Sequence, residues 1–216
     1  MKRAYLLVEG QTEETFVREL LAPHYARMNI FLTAIIASTS PGHKGGVVSY
    51  AKLRPQIEQL CKQDAAAVIS TMFDLYALPN DFPGKNGAEW ALQQNGADKA
   101  ALIEREMAHD IGLRNFIPYI QVHEFEALLF VEPQRFTDWA EPSVVDTLTQ
   151  VRTSTEPENI NNDPLTAPSK RILAAMPAYQ KPVHGPLIAC DIGLDAMRAA
   201  CPHFAQWLDR LDALNA

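Results

Sequence analysis

The sequence predicts an α/β protein: a mostly parallel sheet of about four strands flanked by helices, with a helical C-terminal part. Three observations lead there. Short apolar runs at residues 4–8, 30–37 and 66–73 alternate with segments of helical period. Two of those runs end in an acid, Glu9 and Asp74, at the strand edge where open α/β sheets place ligands and chemistry. Beyond about residue 131 the pattern is helical only. The expected division is a core over 1–131 and a helical part over 132–216, packed as one compact unit.

The elements follow in order. Tyr5-Leu6-Leu7-Val8 reads as a buried strand. Thr12 is placed to cap the next helix, with Thr15 at the capping-box position, and Glu13 and Glu14 suit the dipole of its first turn. Phe16, Val17, Leu20 and Leu21 carry that helix to about Arg27, with Pro23 as a stop or kink. Residues 30–37 are β-branched and apolar, a second strand. Ser38 to Gly46 is a glycine-rich loop. Val47, Tyr50, Leu53, Ile57 and Leu60 mark a helix face, and 66–73 is the third strand. Residues 75–96 are rich in Pro, Asn and Gly and read as a long irregular connection. A helix over 97–111 ends near Gly112, and Phe116 to Val122 is a fourth strand despite Pro118. Helices are expected over 123–130, 143–151, 170–176, 188–200 and 203–214.

The 216 residues carry 19 Lys and Arg against 26 Asp and Glu, a net charge of −7, which argues against a surface that clamps nucleic acid everywhere. A local basic groove, or a partner that supplies one, remains compatible with it. Cys61, Cys190 and Cys201 share no paired spacing and read as reduced thiols. No segment approaches a membrane span, so a cytoplasmic protein is expected.

The acids carry the chemistry. Glu9 stands before Gly10, which is expected to turn the chain sharply and keep the acid exposed at the strand edge, with helix N–H groups beyond it for an anion. Asp74 closes an otherwise uncharged run. Mg²⁺ takes oxygen ligands and commonly uses one or two carboxylates with substrate phosphate and water, which Glu9 and Asp74 satisfy if their strands are neighbours. Asp81 reads as a turn residue that is also within reach of them. In His123-Glu124-Phe125-Glu126, a strand runs into an acid-rich helix start; His123 and Glu126 share a face, so one glutamate turns to the site while the other caps the helix. Zinc held by His123 and Glu126 with His109 or His203 is a weaker alternative, since no cysteine cluster or H-E-x-x-H pattern supports it. No P-loop or nucleophile elbow is present. Lys44 in its glycine-rich loop, Lys170 and Lys181 are the candidates for contact with a phosphate backbone, and Tyr179 beside Lys181 suggests an aromatic–cation pair for a nucleotide.

Together, V-E-G-Q-T-E, F-D-L-Y and H-E-F-E resemble the Toprim domain family. That resemblance implies Mg²⁺ or Mn²⁺ held by Glu9, Asp74 and Glu126 or Glu124, with Gly10 and Thr12 near the phosphate and His123 orienting a carboxylate or protonating a leaving group. It implies cleavage of nucleic-acid phosphodiesters. One departure weakens the second motif: Tyr76 replaces its usual second aspartate. The closer likeness is to the DUF4276 family, through V-E-G-x-T-E, D-x-Y-x-L-P, H-E-F-E-A-L-L-F, P-S-K-R-I-L and C-P-H-F-x-x-W-L, which span most of the chain. A similar order of acids occurs in Toprim-like nuclease subunits of anti-phage systems, which implies an ABC-type ATPase partner. The rival expectation is a regulatory or sensor subunit with a degenerate site.

Overall fold

A computed structural model describes residues 1–40, 43–44, 49–160 and 165–215. The sheet is parallel. Its strands are β1 (Lys2–Val8), β2 (Ile30–Ile36), β5 (Val68–Asp74), β6 (Phe116–Ile117) and β7 (Ile120–Gln121), ordered β2-β1-β5-β6, with β7 continuing the β6 side of β5. Two short antiparallel segments, β3 (Ser38–Ser40) and β4 (His43–Lys44), pair where a plain loop is expected. Val47 lies outside the described residues.

The apolar run of β1 is explained by burial on both faces, as parallel sheets require. Ala4, Leu6 and Val8 join one core, and Leu7 joins the other. The helix after β1 begins at Gly10 rather than Thr12: α1 is Gln11–Phe16, and Glu13 Oε2 accepts the Gly10 N–H at 2.9 Å. The chain bends at Glu9 and Gly10 as expected, with Gly10 extended at φ −159°, a backbone that does not itself require glycine. The chain then widens into a π-helical stretch, Val17–Leu21, where the Ala22 N–H bonds Val17 C=O, and continues as α2 (Ala22–Ala26). Pro23, having no N–H to give, sits directly after this π-helical widening, within a continuous helix.

The second face is covered by α3 (Tyr50–Gln63) and α5 (Gly96–Ile111), with Leu53, Ile57, Ile103 and Met107 buried between them and the sheet. A short α4 (Ala88–Leu92) interrupts the irregular connection. Asp81 caps α3 from that connection, accepting the Ala51 N–H at 3.0 Å, and so takes no part in the acid group. Gly112, at φ +61°, ends α5 as expected.

Pro118 splits the fourth strand into β6 and β7. The hydroxyl of Thr71 repairs the gap: it donates to Tyr119 C=O and accepts the Tyr119 N–H, both at 2.9 Å. Glu104 of α5 accepts the Ile120 N–H at 2.9 Å. The helix expected over 123–130 is instead a 3-10 helix, Phe125–Val131, entered through His123 in a left-handed backbone at φ +61°. The expected shared helical face of His123 and Glu126 therefore does not exist.

The C-terminal part comprises α6 (Pro142–Ser154), α7 (Pro168–Ala175), α8 (Lys181–Ile192), α9 (Leu194–Ala200) and α10 (Pro202–Asp212). The expected helix over 188–200 is two, because Gly193 at φ +80° breaks it, and the first starts seven residues earlier, at Lys181. These helices share the core of β1: Leu6, Val8 and Phe16 join one cluster with Phe204, Trp207 and Leu211. Trp207 stacks on Tyr119 with centroids 4.3 Å apart and donates its indole N–H to Ser70 of β5 at 2.9 Å. No helix among the described residues is long and apolar enough to cross a membrane.

Close packing at the start of α5 makes a prediction. A Cβ on Gly96 would lie 2.8 Å from both His123 Cε1 and Val122 Cγ1, in a buried corner. Gly96→Ala is expected to destabilise the fold by about 1–3 kcal/mol, the usual range for overpacking. Urea denaturation checks it; an unchanged midpoint would contradict the contact.

Candidate active site at the sheet edge

Parallel strands bring their C-terminal ends to one rim. β1 and β5 are in register at Val8 and Met72, and β5 and β7 at Asp74 and Gln121. Glu9, Asp74 and the 123–126 segment therefore emerge side by side. Glu13 reaches the same place from the first turn of α1, and Lys181 from the start of α8.

The Lys181 ammonium joins the acids. Its Nζ stands 3.1 Å from Asp74 Oδ2, 3.1 Å from Glu126 Oε2 and 3.9 Å from Glu13 Oε1. Asp74 is anchored on its other oxygen, which accepts the Phe125 N–H at 2.9 Å. Glu126 is wholly buried; Tyr179 donates its hydroxyl to Oε1 at 3.4 Å, while Oε2 has the lysine as an ion-pair partner but no hydrogen bond.

One ammonium does not balance these charges. Burial pushes Glu9 up to about 8, aided by the charges of Asp74 and Glu13 and opposed by Lys181 and the Asp74 N–H. Glu13 is pushed up to about 7 by burial and Asp74, against the pull of Lys181. Glu126 rises to about 7 by burial, which outweighs Lys181. Burial opposes the charge on Lys181, yet Asp74, Glu126 and Glu13 together hold it well above its ordinary value. Such groups repel one another and gain from any added positive charge.

The other expected site residues are placed differently. Glu124 accepts both the Ser169 N–H, at 2.8 Å, and the Ser169 hydroxyl, at 3.0 Å, capping α7 instead of its own helix. The His123 ring lies against Gly96, away from the acids, because the left-handed backbone turns it there; burial lowers it to about 4. Thr12 is buried, its methyl facing Gly185 of α8. The Gly10 N–H is taken by Glu13 and is not free for phosphate. Lys170 is exposed on α7. The side chain of Lys44 lies outside the described residues. Tyr179 is buried and stacks on His184, so it forms no exposed platform with Lys181. The alternative zinc ligands are scattered: His203 pairs with Glu104 at 2.9 Å, and His109 is exposed on α5.

The model of a family described as a domain of unknown function, DUF4276, matches residues 8–212. The chain belongs to the DUF4276 family. No curated protein sequence matches it. Among solved structures, this DUF4276 chain is similar to the C-terminal region of the Burkholderia pseudomallei OLD protein, at 12% identity and a TM-score of 0.49, covering 97% of this chain and 98% of that one. It is also similar to the C-terminal region of the Xanthomonas campestris pv. campestris OLD protein, at 14% identity and a TM-score of 0.46, covering 94% and 91%.

Glu13 is the member of the site that sequence reasoning assigned elsewhere, to the helix dipole. Its signal was present as the last letter of V-E-G-Q-T-E, three positions after the capping Gly10. The donor set is all carboxylate, the chemistry that suits Mg²⁺ or Mn²⁺ rather than zinc. As the side chains stand, no three His, Cys, Asp or Glu among the described residues form a metal-holding group. The acids fit such an ion in donor type and in excess negative charge.

Proposed function

We propose that this DUF4276 protein is a metal-dependent nuclease of Toprim type, an effector of a bacterial defence system that works with an ABC-type ATPase. The observation that carries it is the meeting of Glu9, Glu13, Asp74 and Glu126 at the C-terminal edge of a parallel sheet with more negative charge than Lys181 offsets. Glu9, Asp74 and Glu126 would hold Mg²⁺ or Mn²⁺, with Glu13 beside them. The ion's contribution is to polarise a phosphoryl oxygen and to acidify a water.

The chain's own residues supply the rest. In place of holding the ion, Glu9, which burial raises to about 8 in the metal-free chain, is suited to act as general base toward an attacking water. Phe125 fixes Asp74 through its N–H, so the carboxylate is oriented before substrate arrives. Lys170 presents positive charge to a phosphate backbone, Lys181 being engaged by Asp74 and Glu126, and the net charge of −7 is compatible with a partner supplying most nucleic-acid affinity.

A second reading, a regulatory or sensor subunit with a degenerate site, is favoured by the ammonium of Lys181 among the carboxylates and by Tyr76 in the place of a second aspartate. One experiment separates them. Plasmid, linear DNA, single-stranded DNA and tRNA are incubated with Mg²⁺ or Mn²⁺, with and without the ATPase. The nuclease reading expects metal-dependent cutting that Glu9→Ala and Glu126→Ala abolish. Folded protein that binds the ATPase yet cuts nothing in any combination supports the sensor.

A further inference from the structure

Lys181 is placed as a counter-ion for the acid group. It is the first residue of α8, and its ammonium touches carboxylates from three separate segments: the start of α1, the end of β5 and the 3-10 helix after β7. Its side chain is 36% exposed, while that of Glu126 behind it is 0% exposed. The lysine therefore has a path out to solvent, and the glutamate does not. The ammonium pairs with Glu126 Oε2 at 3.1 Å.

Resting on the reading of these acids as a metal site, we propose that Lys181 is a built-in competitor for the divalent cation. It holds Asp74 and Glu126 together in the metal-free protein and swings out when the ion binds. Asp74 Oδ2 and Glu126 Oε2, the oxygens the ammonium occupies, would be among those offered to the ion. Two positive charges a few ångströms apart repel, so Lys181 would leave these carboxylates rather than share them with a divalent ion.

Titration calorimetry with Mg²⁺ on the full chain tests this without an activity assay. Removing the competing ammonium is expected to tighten binding about tenfold or more in Lys181→Gln. Lys181→Arg, which keeps the charge, is expected to stay near wild type. In parallel, side-chain ¹⁵N NMR follows the Lys181 ammonium in the wild-type protein, so the test survives if the Gln variant does not fold. Its signal is expected to be protected from solvent exchange without Mg²⁺ and to broaden or vanish at saturation. Wild-type binding with an unmoved Lys181 signal, or equal or weaker binding in Lys181→Gln, overturns the competitor and leaves the metal site standing. No Mg²⁺ binding by wild type or by either variant overturns the metal reading and the competitor with it.

Discussion

Replacing Asp74 with alanine is expected to abolish cleavage and also to loosen the fold, while replacing it with asparagine abolishes cleavage alone. The two oxygens of Asp74 have separate duties. Oδ1 accepts the buried Phe125 N–H, and Oδ2 meets Lys181 in the acid group. Alanine leaves the Phe125 N–H without a partner, and an unsatisfied buried donor costs about 1–3 kcal/mol. Asparagine keeps a carbonyl oxygen for that N–H but removes the charge that a divalent ion needs. Losing one such ligand forfeits several kcal/mol of charge stabilisation, about a thousandfold in rate or more. Cleavage rates and urea midpoints for the two variants check both halves. Activity in the asparagine variant near the wild-type level would remove Asp74 from the site. Equal stability of alanine and wild type would contradict the anchoring bond.

The second expectation concerns pH. Glu9 at about 8, and Glu13 and Glu126 at about 7, all lie above the ordinary glutamate value of 4.5. Between pH 4.5 and these values the folded chain holds protons that the unfolded chain has released. Stability therefore falls as pH rises across that window: it is fully present below 4.5 and is lost as pH passes through 7 to 8. Each unit of displacement corresponds to about 1.4 kcal/mol, so the slope is large for a protein of ordinary stability. Melting temperatures from pH 5 to 9 without divalent ions are expected to decline, and Mg²⁺ is expected to raise the value more at pH 8 than at pH 6. Glu126→Gln keeps the shape and the acceptor for Tyr179 but discards the buried charge. It is expected to flatten the decline and to be more stable than wild type at pH 8, yet inactive. A stabilised, inactive variant marks a residue kept for function rather than folding. A flat profile in the wild type would show that the acids are already compensated.

Much of this protein was legible in the sequence because its signals are local. Strands buried on both faces are apolar throughout, so β1 and β5 stood out, and the β-branched run of the edge strand β2 did too, each close to its observed ends. Gly112 ended α5 as its left-handed backbone requires. The acids Glu9 and Asp74 were readable because a strand of one period stops at a charge, and parallel topology then fixes which rim they share. The sequence also held the family signature, through motifs spread along the chain.

Other features were settled only by distant contacts. Whether Glu124 or Glu126 faces the site depends on the left-handed turn at His123 and on Ser169, whose N–H and hydroxyl claim Glu124 across 45 residues. Whether Pro118 destroys a strand depends on the Thr71 hydroxyl, which replaces the missing ladder bonds from 48 residues away. The start of α8 was hidden because Lys181-Pro182 resembles a loop, and only its packing shows that Lys181 opens a helix aimed at Asp74, 107 residues earlier. The sequence by itself determined the strands, the acids and their common edge, since periodicity and burial are properties of neighbouring residues. The tertiary structure alone decided which carboxylate each hydrogen-bond donor and each cation claims, since that choice is made between groups the chain brings together only by folding.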